Sequence, residues 1–245
     1  MAFVFSVQAV VILEDHFNVN PDARRDAGHA LPSTTADTMA VTKKWFNTNT
    51  GGHFFVIEKL EGSFGGCAAC NVADFAAAAI PLPQKNLQDT LSAGQSIRLT
   101  AVLRPAECQW ISAGFWSDSA GVTTAYAGGD LVLLAQANGE WSLYSFTQTD
   151  KGKSVLVHGD PASFDPAVFT RFEMEWFKDS NTVNLWINGK EVLGQFDLNA
   201  VPVRGGGIGL KLDVDEIGLQ AIRIQKPRSA AADEIRVEVL GGTAP

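Results

Sequence analysis

The sequence has no run of about 18 apolar residues, the length that a membrane-spanning helix needs, and no cluster of lysine and arginine. Its 19 lysine and arginine residues are outnumbered by 27 aspartate and glutamate residues, which gives a net charge of −8 at pH 7. Binding to nucleic acid requires a basic surface, so we expect no nucleic-acid partner. We also expect no membrane span. A neutral or mildly polar ligand such as a sugar fits this charge better.

Cysteine is scarce, and its three positions do not indicate a metal or redox site. Cys67 and Cys70 have CxxC spacing, but the βαβ unit in which a thioredoxin-type pair opens a helix is not indicated nearby. A structural zinc ion needs about four ligands, and no second CxxC or histidine pair is present. We therefore expect small buried or loop thiols, or one disulfide with a spare thiol. The sequence also lacks HExxH, G-x-S-x-G, P-loop and dinucleotide-binding motifs.

The first 13 residues are apolar, but they lack the basic start and the small-residue cleavage site of a secretory signal. They are either a first strand or a signal-like segment. We expect residues 14–245 to form a single domain, because all-β sandwiches of this length are commonly one domain. Residues 226–233 have the composition of a linker, and too few residues follow them to form another domain.

Short segments that alternate apolar and polar residues dominate the chain, and residues 97–103 and 109–117 are examples. We count about thirteen such strands, with turn signals roughly every 8 to 12 residues and no convincing amphipathic helix longer than about three turns. Residues 43–60 are expected to form a hairpin. Prolines favour an extended segment over a helix at residues 76–82. This spacing predicts a β-sandwich or a β-barrel.

Residues 170–193 carry the clearest pattern, which predicts two strands and the start of a third. Both strands alternate so that their apolar residues share one buried face. These inward residues are Phe172, Met174, Trp176, Val183, Leu185 and Ile187. Asn188-Gly189 is a strong signal for a tight hairpin turn. If Phe177 pairs with Thr182, the outward face carries two carboxylates, an amide and an indole, namely Glu173, Glu175, Asn184 and Trp186.

The order of these segments resembles the concanavalin A-like lectin/glucanase superfamily, including its laminin G-like members and the bacterial 3-keto-disaccharide hydrolase-type groups. The resemblance is carried by an acidic-Phe segment, an alternating strand, a Gly-aromatic strand, an Arg-led strand, a strand that ends in Asn-Gly, and a Gly-hydrophobic-Gly strand. These are residues 13–17, 96–103, 112–116, 170–176, 183–189 and 207–210. The resemblance implies an all-β jelly roll of two curved antiparallel sheets, with any ligand on the concave sheet.

The resemblance also implies two candidate sites. The β-glucanases of the superfamily use a Glu-x-Asp-x-Glu strand motif, and here Glu173 and Glu175 fill the first two acidic places while Phe177 fills the third. The retaining mechanism needs two carboxyl groups about 5 Å apart, which strand neighbours can approach. Some members bind a structural calcium ion. The oxygen ligands available for one are Glu14, Asp15, Asp213 and Asp215.

We interpret the outward face of the hairpin as a sugar platform, on which an indole stacks against a pyranose and polar groups bind its hydroxyls. The residues assigned to it are Trp186, Asn184, Glu173, Glu175, Trp116, Trp110 and Asp118, with Arg98 and Arg104 neutralising the glutamates. The alternative is an ordinary solvated face. The leading hypothesis is thus an extracellular or periplasmic lectin-like protein that binds an oligo- or polysaccharide without chemistry. The alternatives are a glycoside hydrolase or lyase-like enzyme, and a structural or adhesive protein that associates with itself.

Overall fold

The computed structural model describes thirteen segments of the chain. They are residues 9–18, 37–39, 44–47, 55–57, 60–69, 76–82, 87–106, 110–116, 129–145, 154–199, 201–203, 207–213 and 230–241. These segments contain sixteen strands and one helical turn, α1 (Leu87–Thr90). None of the described helical structure is long and apolar enough to cross a membrane.

The strands are numbered in chain order. The first eight are β1 (Val10–Asp15), β2 (Thr38–Met39), β3 (Phe46–Asn47), β4 (Phe55–Ile57), β5 (Cys67–Ala69), β6 (Ala76–Pro81), β7 (Ser96–Arg104) and β8 (Trp110–Trp116). The other eight are β9 (Gly129–Gln136), β10 (Trp141–Ser145), β11 (Ser154–His158), β12 (Thr170–Phe177), β13 (Thr182–Ile187), β14 (Lys190–Asp197), β15 (Gly207–Asp213) and β16 (Ala231–Leu240).

The strands form two antiparallel sheets. A nine-stranded sheet has the order β14-β13-β12-β7-β16-β1-β2, and β5 joins it by pairing with β16 and with β4. A seven-stranded sheet has the order β11-β10-β9-β8-β15-β6-β3. The all-β, two-sheet architecture expected from the sequence is therefore confirmed.

The hairpin of β12 and β13 has the predicted register. Phe177 pairs with Thr182, and the six inward residues of the two strands are all buried. The turn that follows β13 places Asn188 at φ 50° and Gly189 at φ 77°, the two positive values that a type I′ turn requires. The core lies between the sheets, where these side chains meet residues such as Leu99 of β7 and Phe115 of β8.

Two expectations about local structure are wrong. The hairpin expected over residues 43–60 does not form, because β3 pairs with β6 in the seven-stranded sheet and β4 pairs with β5 in the nine-stranded sheet. Residues 230–233 are not part of a linker, because they are buried and β16 begins at Ala231. Alanine has a low intrinsic preference for strands, but here Ala231 and Ala232 pair with Ala69 and Ala68 of β5. The sequence also predicts a strand at residues 217–225, which lie outside the described residues.

Candidate functional site

The outward face of the nine-stranded sheet is covered by charged side chains, and we call it the charged face. Its charged members are Glu14, Arg98, Arg171, Glu173, Glu175, Glu234, Arg236 and Glu238, and Asn184 and Trp186 extend it onto β13. Acidic and basic residues alternate from strand to strand. Glu175 of β12 is opposite Arg98 of β7, which is opposite Glu238 of β16. Opposite charges at facing positions of antiparallel strands stabilise the pairing.

Glu175 is the most enclosed carboxylate of the charged face, with 6% of its surface exposed. Its Oε1 accepts a hydrogen bond from the Ser96 hydroxyl. Its Oε2 accepts two from Arg98, at 2.6 Å from Nη2 and 3.2 Å from Nε. Glu173 makes only longer contacts, since its Oε1 lies 3.8 Å from Arg98 Nη1 and 3.7 Å from Arg171 Nη2. Both glutamates therefore belong to an ion-pair lattice that crosses the sheet.

This lattice does not resemble a pair of catalytic carboxyls. A retaining glycosidase needs one carboxyl to attack the sugar and another to protonate the leaving oxygen, so both must reach the scissile bond. Both oxygens of Glu175 already accept hydrogen bonds from protein donors, and the side chain is almost completely covered. The geometry therefore favours a structural role for Glu175 in joining β7 to β12.

The remaining members of the expected sugar platform are also engaged with protein neighbours. The Arg98 guanidinium lies over the Trp186 ring, with Cζ 5.2 Å from the ring centroid, which is a cation–π arrangement. Asn184 Oδ1 accepts a hydrogen bond from the backbone N–H of Gln195 in β14. Arg104 does not neutralise the glutamates as expected. It donates a hydrogen bond to the carbonyl of Glu61 and lies over another aromatic ring instead.

The expectation that Trp110 and Trp116 join this surface is wrong, because β8 lies in the seven-stranded sheet and pairs with β9 and β15. Trp110 and Trp116 lie on the outward side of that sheet, away from the core. They cluster there with Val132, Leu134 and Tyr144, and we call this surface the aromatic face. Trp116 and Tyr144 are buried, whereas Trp110 is partly exposed. Asp118 lies outside the described residues.

A cluster of polar side chains adjoins Trp110 at the β9–β10 hairpin, and we call it the Glu140 cluster. It consists of Gln136, Asn138, Glu140, Ser142 and His158. Gln136, the cross-strand partner of Trp110, donates from Nε2 to Glu140 Oε1 at 3.1 Å and to Ser142 Oγ at 3.0 Å. Asn138 Nδ2 donates to Glu140 Oε2 at 3.3 Å, and His158 Nδ1 lies 3.5 Å from Glu140 Oε1. The side chains of Glu140 and His158 are 21% and 62% exposed.

Sequence reasoning missed the Glu140 cluster, although two signals for it were present. Asn138-Gly139 predicts the β9–β10 hairpin, and Gly139 adopts the expected positive φ of 79°. Strand alternation then places Gln136 and Ser142 on the same side as Trp110. Because His158 comes from the next strand, β11, only the strand order could bring it to Glu140.

The residues proposed for calcium are not assembled among the described segments. Asp15 is fully buried, and its two oxygens accept hydrogen bonds from the backbone N–H of Phe17 and from Trp45 Nε1, each at 2.8 Å. Glu14 lies on the charged face, 3.4 Å from Arg236. The side chains of Asp213 and Asp215 lie outside the described residues. Within the part of the chain that the structure describes, no three histidine, cysteine or acidic residues are placed to hold a metal ion.

Cys67 of β5 is buried in a small hydrophobic cluster with Ala231 of β16. Burial, with a smaller contribution from the Asp233 carboxylate, raises the pKa of the Cys67 thiol to about 12. Burial also raises the pKa of Asp233, although its Oδ2 accepts a hydrogen bond from the backbone N–H of Phe64. A thiol that stays protonated is a poor nucleophile and metal ligand. Cys70 and Cys108 lie outside the described residues.

No protein-family model matches this chain, and no curated protein matches it. Solved structures do. An endo-1,3-β-glucanase from Streptomyces sioyaensis is 11% identical, with a TM-score of 0.50 over 99% of this chain and 100% of that one. The carbohydrate recognition domain of Emp47p is 14% identical, with a TM-score of 0.50 over 88% of this chain and 95% of that one. A carbohydrate-binding module (CBM66) of Bacillus subtilis is 11% identical, with a TM-score of 0.46 over 80% and 95%.

At these levels of identity the similarity identifies an architecture and not an activity. The two-sheet antiparallel order described above agrees with it. The chain therefore has the concanavalin A-like jelly-roll fold.

Proposed function

We propose that the protein binds a saccharide on the aromatic face, at Trp110 and the Glu140 cluster. The observation that supports this most is the position of Trp110, a partly exposed indole on the outward side of a sheet. It lies directly across from Gln136, whose amide donates a hydrogen bond to the Glu140 carboxylate. A pyranose presents an apolar face, which stacks on an aromatic ring, and a rim of hydroxyls, which need convergent polar partners.

The Glu140 cluster offers these partners in a fixed arrangement. Its amide, carboxylate and imidazole groups belong to three adjacent strands or to the turn between two of them, and hydrogen bonds among them hold their positions. Glu140 and His158 keep exposed surface, so a ligand can reach them. Polar groups held in place before binding lose little conformational freedom when the ligand arrives.

The charged face is a less suitable site for a saccharide than the aromatic face, although it contains most of the residues assigned from the sequence. There, Arg98 covers a ring face of Trp186, and the oxygens of Glu175 are engaged with Ser96 and Arg98. A ligand would have to break these contacts before making its own. On the aromatic face, the buried cluster of Trp116, Val132, Leu134 and Tyr144 supports Trp110, whose ring keeps some exposed surface.

The names of the two structures with TM-scores of 0.50 also support a saccharide, since one is a carbohydrate recognition domain and the other a glucanase. If the ligand is a glycan of a cell surface or matrix, the protein meets it outside the cytoplasm. We therefore keep an extracellular or periplasmic location as part of the proposal.

The experiment is a glycan array with the labelled full chain, followed by calorimetric titration of the strongest glycan. Trp110→Ala and Glu140→Gln should each weaken binding by at least about tenfold, which corresponds to about 1.4 kcal/mol. Trp186→Ala and Glu173→Gln are the matched controls on the charged face and should change affinity by less than about twofold. Circular dichroism must show that each variant is folded.

Two results would contradict the proposal. If Trp186→Ala abolishes binding and Trp110→Ala does not, the ligand binds the charged face. If no glycan binds, the structural or adhesive hypothesis replaces saccharide binding, and sedimentation of the full chain then tests self-association.

A further inference from the structure

The two outward faces of the sandwich differ in the arginines that they carry, since the charged face balances most of its five glutamates with three arginines. Four arginines have described side chains, and all four belong to the nine-stranded sheet: Arg98, Arg104, Arg171 and Arg236. Lys178 belongs to the same side of the molecule, at the end of β12, where its Nζ donates to the carbonyls of Gln88 and Leu91. The described arginines are therefore all away from the aromatic face, whereas the exposed Lys44 comes just before β3, the strand at the far edge of the seven-stranded sheet.

The described charged groups of the aromatic face are mainly acidic. Glu140 is partly exposed next to Gln136, the cross-strand partner of Trp110, and Asp130 of β9 is buried on the outward side of the same sheet. The imidazole of His158 lies 3.5 Å from Glu140.

We infer that the site takes a saccharide without acidic groups and rejects uronic, sialylated and sulfated sugars, an inference that rests on the proposed function. Glu140 accepts hydrogen bonds, so it can bind the hydroxyls of a neutral sugar but repels a carboxylate or sulfate at the same position. Rejection of a competitor by like charge is a common source of specificity. The net charge of −8 acts in the same direction over a longer range.

The test compares glycans that differ only by an acidic group. Suitable pairs are N-acetyllactosamine with its sialylated form, and cellotetraose with its C6-carboxylated form, each titrated into the full chain at low and at physiological ionic strength. We expect the acidic member of any pair that binds to bind at least about fivefold more weakly. We also expect the difference in affinity between the two members to become smaller when salt is added, because salt screens the repulsion between the protein and the acidic member.

Glu140→Gln isolates the source of the selectivity, because it removes the charge and keeps the shape. In this variant the affinities for the acidic and the neutral glycan should differ by less than about twofold, even though the affinity for the neutral glycan is also lower. Glu173→Gln removes an equal charge from the opposite face and should leave the ratio as it is in the unchanged protein. A variant that binds all glycans more weakly keeps the same ratio of the two affinities, so a general loss of affinity would not be mistaken for a loss of selectivity.

The possible results separate this inference from the proposed function. If an acidic glycan binds as tightly as its neutral partner, or more tightly, the inference is overturned while saccharide binding stands. If the selectivity is present but Glu140→Gln leaves it unchanged, the assignment to the Glu140 cluster is overturned. If neither member of either pair binds and the array is also negative, both proposals fail together.

Discussion

Replacing Glu175 with glutamine should lower the free energy of unfolding by about 2 kcal/mol, whereas the same change at Glu173 should lower it by less than about 0.5 kcal/mol. The two residues lie two positions apart on β12 and have the same side chain. Their surroundings differ. Glu175 accepts three hydrogen bonds, two of them from Arg98, while Glu173 has only contacts of 3.7 and 3.8 Å to guanidinium groups.

The magnitude follows from these contacts. A hydrogen bond to a charged group contributes roughly 1.5–3 kcal/mol, and breaking a fully buried ion pair costs roughly 3–5 kcal/mol. The Arg98 side chain is 29% exposed, so water screens part of the loss and the lower range applies. The amide oxygen of glutamine can also keep one of the donors. For Glu173 no bond within hydrogen-bonding distance is lost.

Urea unfolding followed by tryptophan fluorescence measures both values, because urea does not screen charges as guanidinium chloride does. With a slope of about 2 kcal/mol per molar, Glu175→Gln should lower the midpoint by about 1 M. Neither variant should change saccharide affinity. Equal losses of stability at the two positions would refute the reasoning, and so would a larger loss at Glu173.

Three further predictions concern stability. Asp15→Ala should lower the free energy of unfolding by about 3 kcal/mol in a urea titration, because it leaves two buried N–H donors without their acceptor; a loss below about 1 kcal/mol would contradict this. Gly114→Ala should abolish the native near-ultraviolet spectrum or cost at least about 3 kcal/mol, because its Cβ would lie 2.5 Å from a backbone oxygen of β9. Gly94→Ala, with open space but a φ of 77°, should cost only about 1 kcal/mol. Asp233→Asn should be more stable than the unchanged protein at pH 7. Burial raises the folded pKa of Asp233, so its contribution to stability is present below the ordinary value of 3.8 and is lost as the pH rises through the folded pKa. Urea titrations between pH 4 and 8 should then show that the free energy of unfolding falls less steeply with rising pH in the variant than in the unchanged protein. Parallel pH profiles of the two proteins would contradict the raised pKa of Asp233.

The sequence predicts the β12–β13 hairpin to the residue because its information is local. Alternation sets the buried face, and the turn residues set the register, so Glu173 opposite Trp186 follows from neighbours in the chain. The contact of Arg98 with Glu175 also agrees with expectation, since β7 is the next strand in the sheet.

Which sheet a strand joins depends on contacts that are distant in the chain. β7 and β8 are consecutive, yet they lie in different sheets, and β8 pairs with β15, a strand almost a hundred residues further on. The faces of Trp110 and Trp116 were therefore predicted correctly within their strand, but their placement beside Glu173 was wrong. The Glu140 cluster was missed for the same reason, because His158 reaches it only through the order of β9, β10 and β11.

The central position of β16 determines when this protein can fold. β16 lies between β7 and β1, and 222 residues separate Glu14 from Arg236, its partner across the β1–β16 ladder. While a ribosome is still synthesising the chain, β1 and β7 each have an unpaired edge, to which strands of other chains can bind. The nine-stranded sheet therefore closes only after translation has passed residue 240. Folding should be slow, as it is for other proteins dominated by long-range strand pairing, and chaperones that cover exposed edges should raise its yield.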